Sequence, residues 1–256
     1  MSSLPPGVPP EPPVPGAWRS ARLTSKRRET ARAASLAFEV VPWPGHRPGQ
    51  HIDVRLTAED GYHAERSYSI ASPPEDMGVE ITVDRLEDGE VSPFLVDDMQ
   101  DGDTLEVRGP IGGWFAWDVR DGGPLLMMAG GSGIVPLMAM LRHRRRRAST
   151  IPARLLVSVR TEADLFYTNE LAELQAAGDG FELFVTLTRE APAGWSGLTG
   201  RISREMLAGV VWPSPDSTRV FICGPNAFVE KAGWIIVDLG YPPAHVRTER
   251  FGPSGT

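Results

Sequence analysis

The chain has 256 residues, of which 41% are hydrophobic and 23% charged, and its formal net charge is -7. This length and composition are typical of a folded globular protein with room for two domains, and they favour neither a disordered nor a fibrous chain. The acidic balance argues against a nucleic-acid-binding protein, because such proteins neutralise phosphates with a basic face.

A single cysteine, Cys223, limits the redox chemistry that the chain can carry. One thiol cannot form an internal disulfide or supply the thiolates of an iron–sulfur cluster or structural zinc site. The histidines show no metal-binding spacing, so we expect no metal. No apolar run approaches the roughly 18 residues that span a bilayer, and no secretion signal opens the chain, so we expect a cytoplasmic protein.

Residues 1–16 are dominated by proline. Proline cannot donate a hydrogen bond to a strand ladder and favours an extended, solvated chain. We therefore predict a flexible tail, with a ligand for a proline-recognising domain as the less favoured alternative.

Residues 17–120 contain short alternating or apolar runs separated by glycine, proline and aspartate, without a helical period. Closely spaced strands of this kind predict an antiparallel β-barrel domain. The predicted strands are Leu36–Val40, His51–Leu56, Val79–Val83 and Thr104–Val107, and residues Val91–Met99 could form one short helix.

Residues 121–256 alternate predicted strands with predicted helices, which implies a parallel, doubly wound α/β sheet covered on both faces. The predicted strands are Leu125–Ala129, Arg154–Val159, Phe181–Thr188 and Val220–Cys223. The predicted helices are Ile134–Leu141, Ala163–Ala177, Ser203–Gly209 and Asn226–Leu239.

Three segments could carry chemistry, and the first is a barrel strand that runs from Arg66 to Ser72. Strand alternation places Arg66 and Tyr68 on one face and Ser67 and Ser69 on the other. Arg66 could pair with a diphosphate while Tyr68 packs on a planar ring. A barrel strand with a surface arginine is the alternative.

The second segment is the glycine loop Gly130–Pro136, between a buried strand and a helix. Glycines allow a ligand to approach the backbone, and the amides at a helix start favour an anion such as a pyrophosphate. The third is Cys223–Asn226, at the carboxyl end of a strand, where α/β sheets collect ligands. A tight turn without a ligand and a buried structural cysteine are the alternatives.

In order and spacing, these segments resemble those of the ferredoxin–NADP reductase superfamily, whose members join an FAD-binding barrel to a nicotinamide-binding α/β domain. The resemblance covers about residues 17–256. Four further matches are Pro48–His51, Gly89–Leu95, Gly109–Gly112 and Glu249–Gly252.

The resemblance implies a role for each matching residue in binding FAD. Arg66 would pair with the FAD diphosphate, Tyr68 would pack on the isoalloxazine and Ser69 would lie near flavin N5. The remaining residues expected to contact FAD are Ser67, Val83, Gly89, Glu90, Val91, Ser92 and Phe251.

The resemblance also implies a nicotinamide dinucleotide site. Gly131, Ser132 and Gly133 would hold its pyrophosphate, and Cys223, Gly224 and Pro225 would lie beside the nicotinamide. Glu249 would lie near the flavin, so Ser69, Cys223 and Glu249 are the candidate catalytic residues.

The choice between NADPH and NADH depends on the end of the second α/β strand, where the adenosine ribose is recognised. This strand ends with Ser158 and Arg160, which favour the 2′-phosphate of NADPH, and Tyr167 could lie near the adenine. Glu162 and Asp164 weaken this preference for NADP(H) over NAD(H).

The function implied is a monomeric flavin-dependent NAD(P)H reductase that passes electrons to a separate ferredoxin, haem protein or oxygenase component. Two alternatives are a reductase that uses free flavin as its substrate and a non-catalytic flavin-binding subunit of a larger oxidoreductase.

Two further groups are expected to be structural. The basic run formed by Arg142 and residues 144–147 follows a predicted helix, and we expect solvated side chains there that compensate the helix dipole. Trp114, Phe115 and Trp117 are expected to pack in the core.

Overall fold

The computed structural model describes residues 16–58, 60–213 and 216–251, so nearly all of the predicted proline-rich tail lies outside the described residues. The chain forms two sheets of six strands each. The boundary predicted at residue 120 lies in a short 3-10 turn, Val119–Asp121, between the last strand of the first sheet and the first strand of the second.

The first sheet is antiparallel throughout, with strand order β4-β3-β6-β1-β2-β5. An antiparallel bridge between Ile70 and Ile81 joins the two edges of the sheet and closes it into a barrel. The strands are β1 (Trp18–Arg28), β2 (Ala33–Val40), β3 (His51–Thr57), β4 (His63–Ser69), β5 (Val79–Asp84) and β6 (Thr104–Ile111). The predicted antiparallel barrel is confirmed.

Alternation along the strands fills the barrel. In β1, Ala21 and Leu23 are buried while Ser20 and Arg22 are exposed. The predicted short helix is a π-helical turn, Phe94–Asp98, that packs Leu95 and Val96 into the same core.

The second sheet is parallel throughout, with strand order β10-β9-β8-β7-β11-β12. The strands are β7 (Leu125–Gly130), β8 (Ala153–Val159), β9 (Phe181–Leu187), β10 (Leu198–Thr199), β11 (Arg219–Gly224) and β12 (Val246–Arg250). The helices are α1 (Ile134–Arg146), α2 (Thr168–Ala176), α3 (Arg204–Val210) and α4 (Asn226–Asp238). The predicted α/β sheet is confirmed.

The central strand β7 is buried along its whole length because helices cover both faces of the sheet. Met127 and Ala129 pack into a cluster with α1 and α2, whereas Leu126 and Met128 pack into a cluster with α3 and α4. Alternate residues of this continuous apolar run therefore pack into two different hydrophobic cores.

The basic run on α1 corrects a sequence expectation, because Arg144 is buried and Arg142 is largely buried rather than solvated. Arg142 donates hydrogen bonds to Glu80 in the barrel and to Glu170 on α2, at 2.6 Å each. Arg144 is 1% exposed and donates to Asp179 at 2.8 Å. These ion pairs join α1 to its neighbours.

No helix within residues 16–58, 60–213 and 216–251 is both long and apolar enough to cross a membrane. The cytoplasmic location and the monomeric state remain predictions.

Candidate cofactor-binding site

Arg66 lies on β4, and its side chain is about half exposed. Its Nη2 atom is 3.4 Å from Glu90 Oε2, and Tyr62 donates its phenolic proton to Glu90 Oε1 at 3.0 Å. The predicted diphosphate partner Arg66 and the predicted loop residue Glu90 are thus brought together.

The loop Gly89–Ser92 is folded tightly against the barrel. Ser92 is buried, and its hydroxyl oxygen accepts a hydrogen bond from the Leu86 amide at 3.0 Å, which leaves the hydroxyl proton for another acceptor. A Cβ atom on Gly89 would lie 2.8 Å from Ser92 Oγ, so the turn requires glycine. The side chain of Val91 is fully buried, and only its backbone could contact a cofactor.

The two faces of β4 differ as the sequence predicted. Tyr68 packs against the barrel core, and burial raises the pKa of its phenol, which keeps it neutral. On the other face, Ser67 donates to Asp53 at 2.6 Å, and Asp53 also accepts from Arg108. The Ser67 hydroxyl is therefore engaged in an ion-pair network rather than free for a cofactor.

Ser69, at the end of β4, lies opposite His51 in the strand register. His51 lines a cavity of about 150 Å³ between the barrel and β12, and Glu249 lies on the other side of that cavity. Glu249 Oε1 is 4.0 Å from His51 Nδ1, and Glu249 Oε2 accepts from the Cys223 thiol at 3.9 Å. Glu249 thus contacts both Cys223 and His51, and His51 is the cross-strand neighbour of Ser69.

Burial controls the protonation of this cluster. It raises the pKa of Glu249 to about 7 and raises the pKa of the Cys223 thiol, with the nearby Glu249 as a further cause. Burial also lowers the pKa of His51. At neutral pH the Cys223 thiol and the His51 imidazole are therefore uncharged, and the Glu249 carboxyl group is about half ionised.

The pairing of β11 with β12 brings Cys223 and Glu249 together, because these two residues are register partners. The Phe251 amide donates to the Gly224 carbonyl at 3.2 Å, which holds the end of the described chain beside the same strand end. Phe251 itself is partly buried against the core.

The glycine loop forms a 3-10 turn, Gly131–Gly133, between β7 and α1. A Cβ atom on Gly133 would lie 2.1 Å from the Cys223 carbonyl oxygen, so glycine is needed for the loop to pack on β11. Gly131 has a φ of +54° and open space around it. The loop is thus anchored on one side and accessible on the other, as a pyrophosphate site requires.

The carboxyl ends of β8 and β9 carry the residues expected near the adenosine. Ser158 is partly buried between Gly130 and Thr186 in the sheet, and Arg160 is exposed just beyond. Arg189, also exposed, donates its amide to the Arg160 carbonyl at 3.0 Å. Arg189 was missed in the sequence analysis, although it follows β9 just as Arg160 follows β8.

Tyr167, expected as an adenine neighbour, has almost no exposed surface on which an adenine could stack. It is 2% exposed, packs in the core and hydrogen-bonds Thr82 of the barrel through its hydroxyl, under the Arg142 guanidinium. Val83 is fully buried in the barrel core, so only its backbone could contact FAD.

The aromatic segment after β6 is divided between core and surface. Phe115 and Trp117 are buried, as predicted, whereas Trp114 is 66% exposed and lines the His51 cavity with Glu249. The Arg247 guanidinium lies 5.6 Å from the Trp114 ring centroid. The sequence gives no signal that separates Trp114 from its two neighbours.

Comparison with known families assigns each half of the chain. Residues 20–115 match the oxidoreductase FAD-binding domain, and residues 127–233 match the oxidoreductase NAD-binding domain. FAD and a nicotinamide dinucleotide are therefore the cofactor classes of the barrel and the α/β domain.

Individual relatives agree with this division. A glycine betaine monooxygenase reductase subunit from Chromohalobacter salexigens is 32% identical over 209 residues, covering 80% of this chain and 56% of the relative. The chain thus spans little more than half of that protein's length. The FAD/NAD-binding domain of a nitric oxide dioxygenase from Vibrio cholerae has the same fold, with a TM-score of 0.81, 24% identity and coverage of 92% of this chain and 99% of that domain.

Ferredoxin–NADP reductase B of Sorangium cellulosum matches at 32% identity over 242 residues, which is 90% of this chain and 96% of that protein. Because this similarity extends over both domains of a protein of similar length, the chain belongs to the ferredoxin–NADP reductase superfamily.

Proposed function

We propose that the chain is an NAD(P)H-dependent FAD reductase that passes electrons to a separate acceptor. The observation that carries this proposal is a cavity between the barrel and the α/β domain that His51 and Glu249 line, with Cys223 3.9 Å from Glu249 and Ser69 paired with His51 in the strand register. Ser69 lies on a strand of the barrel, whereas Cys223 and Glu249 lie on two strands of the α/β domain.

The cofactors, when bound, supply the hydride-transfer chemistry between nicotinamide C4 and flavin N5. The protein's part is to hold the two rings in register and exclude water. Arg66 would bind the flavin diphosphate, and the amides of Gly131–Gly133 would bind the dinucleotide pyrophosphate. Gly224 packs closely on the Gly130 backbone at the end of β11, and Glu249 can hold or release a proton near neutral pH.

The acceptor lies outside these 256 residues. Their single cysteine cannot ligate an iron–sulfur cluster, so electrons that leave the flavin must pass to another centre. Among the relatives, a monooxygenase reductase subunit and a ferredoxin–NADP reductase favour an oxygenase component or a ferredoxin as the acceptor. A haem protein is the third candidate.

The test is an anaerobic titration of the purified, FAD-loaded protein with NADPH and with NADH. We expect stoichiometric loss of the oxidised-flavin absorbance and its return when a ferredoxin or oxygenase component is added. Flavin that neither nucleotide reduces would contradict the proposal. Flavin that is reduced only when supplied free in excess would favour a free-flavin reductase.

We further propose that NADPH is preferred, because Arg160 and Arg189 are both exposed and lie on neighbouring strand ends, joined by a backbone hydrogen bond, where the 2′-phosphate would lie. The nearby Asp164 accepts hydrogen bonds from the amide and hydroxyl of Thr161, so its carboxylate closes a turn rather than facing a ribose. Arg160→Ala and Arg189→Ala should each lower kcat/KM for NADPH about tenfold with little effect on NADH. A wild-type ratio of kcat/KM that favours NADH would overturn this preference.

A further inference from the structure

Strand β5 turns one of its faces to the α/β domain. Glu80, Thr82 and Asp84 alternate with Ile81 and Val83, which are buried in the barrel core. Because side chains alternate along a strand, the three polar side chains point away from that core. The outer face of β5 is therefore a row of one carboxyl group, one hydroxyl group and a second carboxyl group.

The first two side chains of this row meet the α/β domain in order. Glu80 accepts a hydrogen bond from Arg142 of α1 at 2.6 Å, and Thr82 accepts one from the hydroxyl of Tyr167, which directly precedes α2. Asp84 lies on the same face about 6.6 Å beyond Thr82. Asp84 therefore faces the segment that connects the end of β8 to Tyr167.

The charges around Asp84 agree with this placement. Burial raises the pKa of the Asp84 carboxyl; Arg32 and Arg160 oppose the rise, and Asp164 adds to it. Charges shift the pKa of another group mainly over short distances, so Arg160 and Asp164 are neighbours of Asp84 across the domain boundary. The Asp84 side chain is 39% exposed, so a ligand bound beside Arg160 is within reach of its field.

We propose that Asp84 is a specificity residue that the barrel contributes to the nicotinamide dinucleotide site, where it repels the 2′-phosphate of NADPH. The inference rests on the proposed function, since it places the 2′-phosphate beside Arg160. NADH carries an uncharged hydroxyl at this position, so its binding is insensitive to the Asp84 charge. The barrel thus opposes the preference that Arg160 and Arg189 create, and both domains set the ratio of the two coenzymes.

Arg32 determines how strongly the Asp84 carboxylate acts. Its Nε atom is 3.9 Å from Asp84 Oδ1, and its Nη2 atom donates to the Arg85 carbonyl at 2.9 Å. A long pair between exposed side chains is weak, so Arg32 neutralises the carboxylate only in part. Loss of the Asp84 charge leaves a cation at this place, whereas loss of the Arg32 charge leaves an anion. The two substitutions should therefore act in opposite directions.

The experiment follows anaerobic reduction of bound FAD in the full-length protein by stopped flow over a range of NADPH and NADH concentrations. Each titration gives a Kd and a limiting rate. At low ionic strength, Asp84→Asn should tighten NADPH binding about threefold and Arg32→Gln should weaken it about threefold. The Kd for NADH and all limiting rates should stay at the wild-type values. Salt at about 0.5 M should remove both effects, because it screens exposed charges.

Glu39→Gln is the matched control, because it removes the same charge from the same domain. Ala33, at one end of β2, is the register partner of Asp84, whereas Glu39 lies about 20 Å further along that strand and pairs with Arg22. This variant should bind both coenzymes as the wild type does, which separates the position of the charge from the net charge.

Three results would overturn the inference and leave the proposed function intact. They are an unchanged Kd for NADPH in Asp84→Asn, an equal change for NADPH and NADH, and an effect that persists at high salt. Reduction by NADH at the wild-type rate shows that each variant is folded. Bound FAD that neither coenzyme reduces in the wild-type protein would overturn the inference and the proposed function together.

Discussion

Glu249 is a partly buried carboxyl whose pKa of about 7 lies above its ordinary value of 4.5. The folded protein therefore keeps a proton that the unfolded chain loses, and folding stability must fall as pH rises from about 4.5 to about 7. Glu249→Gln should abolish this loss. Relative to wild type, the variant should gain up to about 3 kcal/mol in free energy of unfolding between about pH 5 and about pH 8.

The measurement is urea unfolding of both proteins at the two pH values. His51 is present in both proteins, so the difference between them reports the carboxyl together with its 4.0 Å contact with the imidazole. A difference that stays constant with pH would show that Glu249 has an ordinary pKa in the folded protein.

Cys223 has no exposed surface and a raised thiol pKa, and we therefore propose that it positions a ring rather than reacts. Cys223→Ala removes the atom between β11 and Glu249. We expect flavin reduction by NADPH in stopped-flow experiments to slow ten- to a hundredfold, because small displacements of reacting rings are costly.

FAD should stay bound in this variant, since the barrel residues are unchanged, and Cys223→Ser should recover part of the rate. A Cys223→Ala protein reduced as fast as wild type would rule out the positioning role.

At the scale of elements, Arg142 joins helix α1 to strand β5 and helix α2. Its side chain is 13% exposed and reaches Glu80 and Glu170 at 2.6 Å each, and it also donates to the Ala71 carbonyl at 2.9 Å. Arg142→Met would leave two partly buried carboxylates without their cation. The free energy of unfolding should fall by about 3 kcal/mol.

Arg145 on the same helix provides the matched control. Its pair with Glu173 spans 3.7 Å between side chains that are more than half exposed, so Arg145→Met should cost less than about 1 kcal/mol. Urea unfolding of the two variants compares them directly. Equal losses in the free energy of unfolding would mean that the Arg142 ion pairs between α1 and the barrel contribute little to stability.

The same helix shows where sequence reasoning was sufficient and where it stopped. The glycine loop and β7 could be predicted because a continuous apolar run and clustered glycines are local signals. The burial of Arg142 could not, since its partners Glu80 and Glu170 lie 62 and 28 residues away. Its basic neighbours instead suggested a solvated helix end.

Strand β12 was missed for a related reason. Its sequence, Val246–Arg250, is mostly polar and has no apolar alternation, and it is a strand because β11 pairs with it. The motif containing Glu249 identified a site residue there without identifying the element that positions it. His51 was likewise seen within a motif, but its role depends on the cross-strand pair with Ser69.

At the scale of the whole molecule, the two domains share a hydrophobic core. Ala33 and Ala71 of the barrel pack into the same cluster as Met127, Leu137 and Leu171 of the α/β domain. Because this packing joins the domains in addition to the Arg142 ion pairs, neither should unfold without exposing the other's core.

We therefore expect a single transition in differential scanning calorimetry of the full chain, with equal calorimetric and van't Hoff enthalpies. Two resolved transitions would show that the shared core contributes little and that the domains unfold independently.

The pairing of β12 with β11 also makes the cavity beside Glu249 sensitive to the length of the turn that precedes β12. Alternation means that a slip of one residue would replace Glu249 beside Cys223 with Thr248 or Arg250, exchanging a carboxyl for a hydroxyl or a cation. Surface turns usually accept insertions and deletions. The turn at 240–245 feeds this strand directly, so a change of one residue in its length would alter the chemistry of the cavity without touching any residue that lines it.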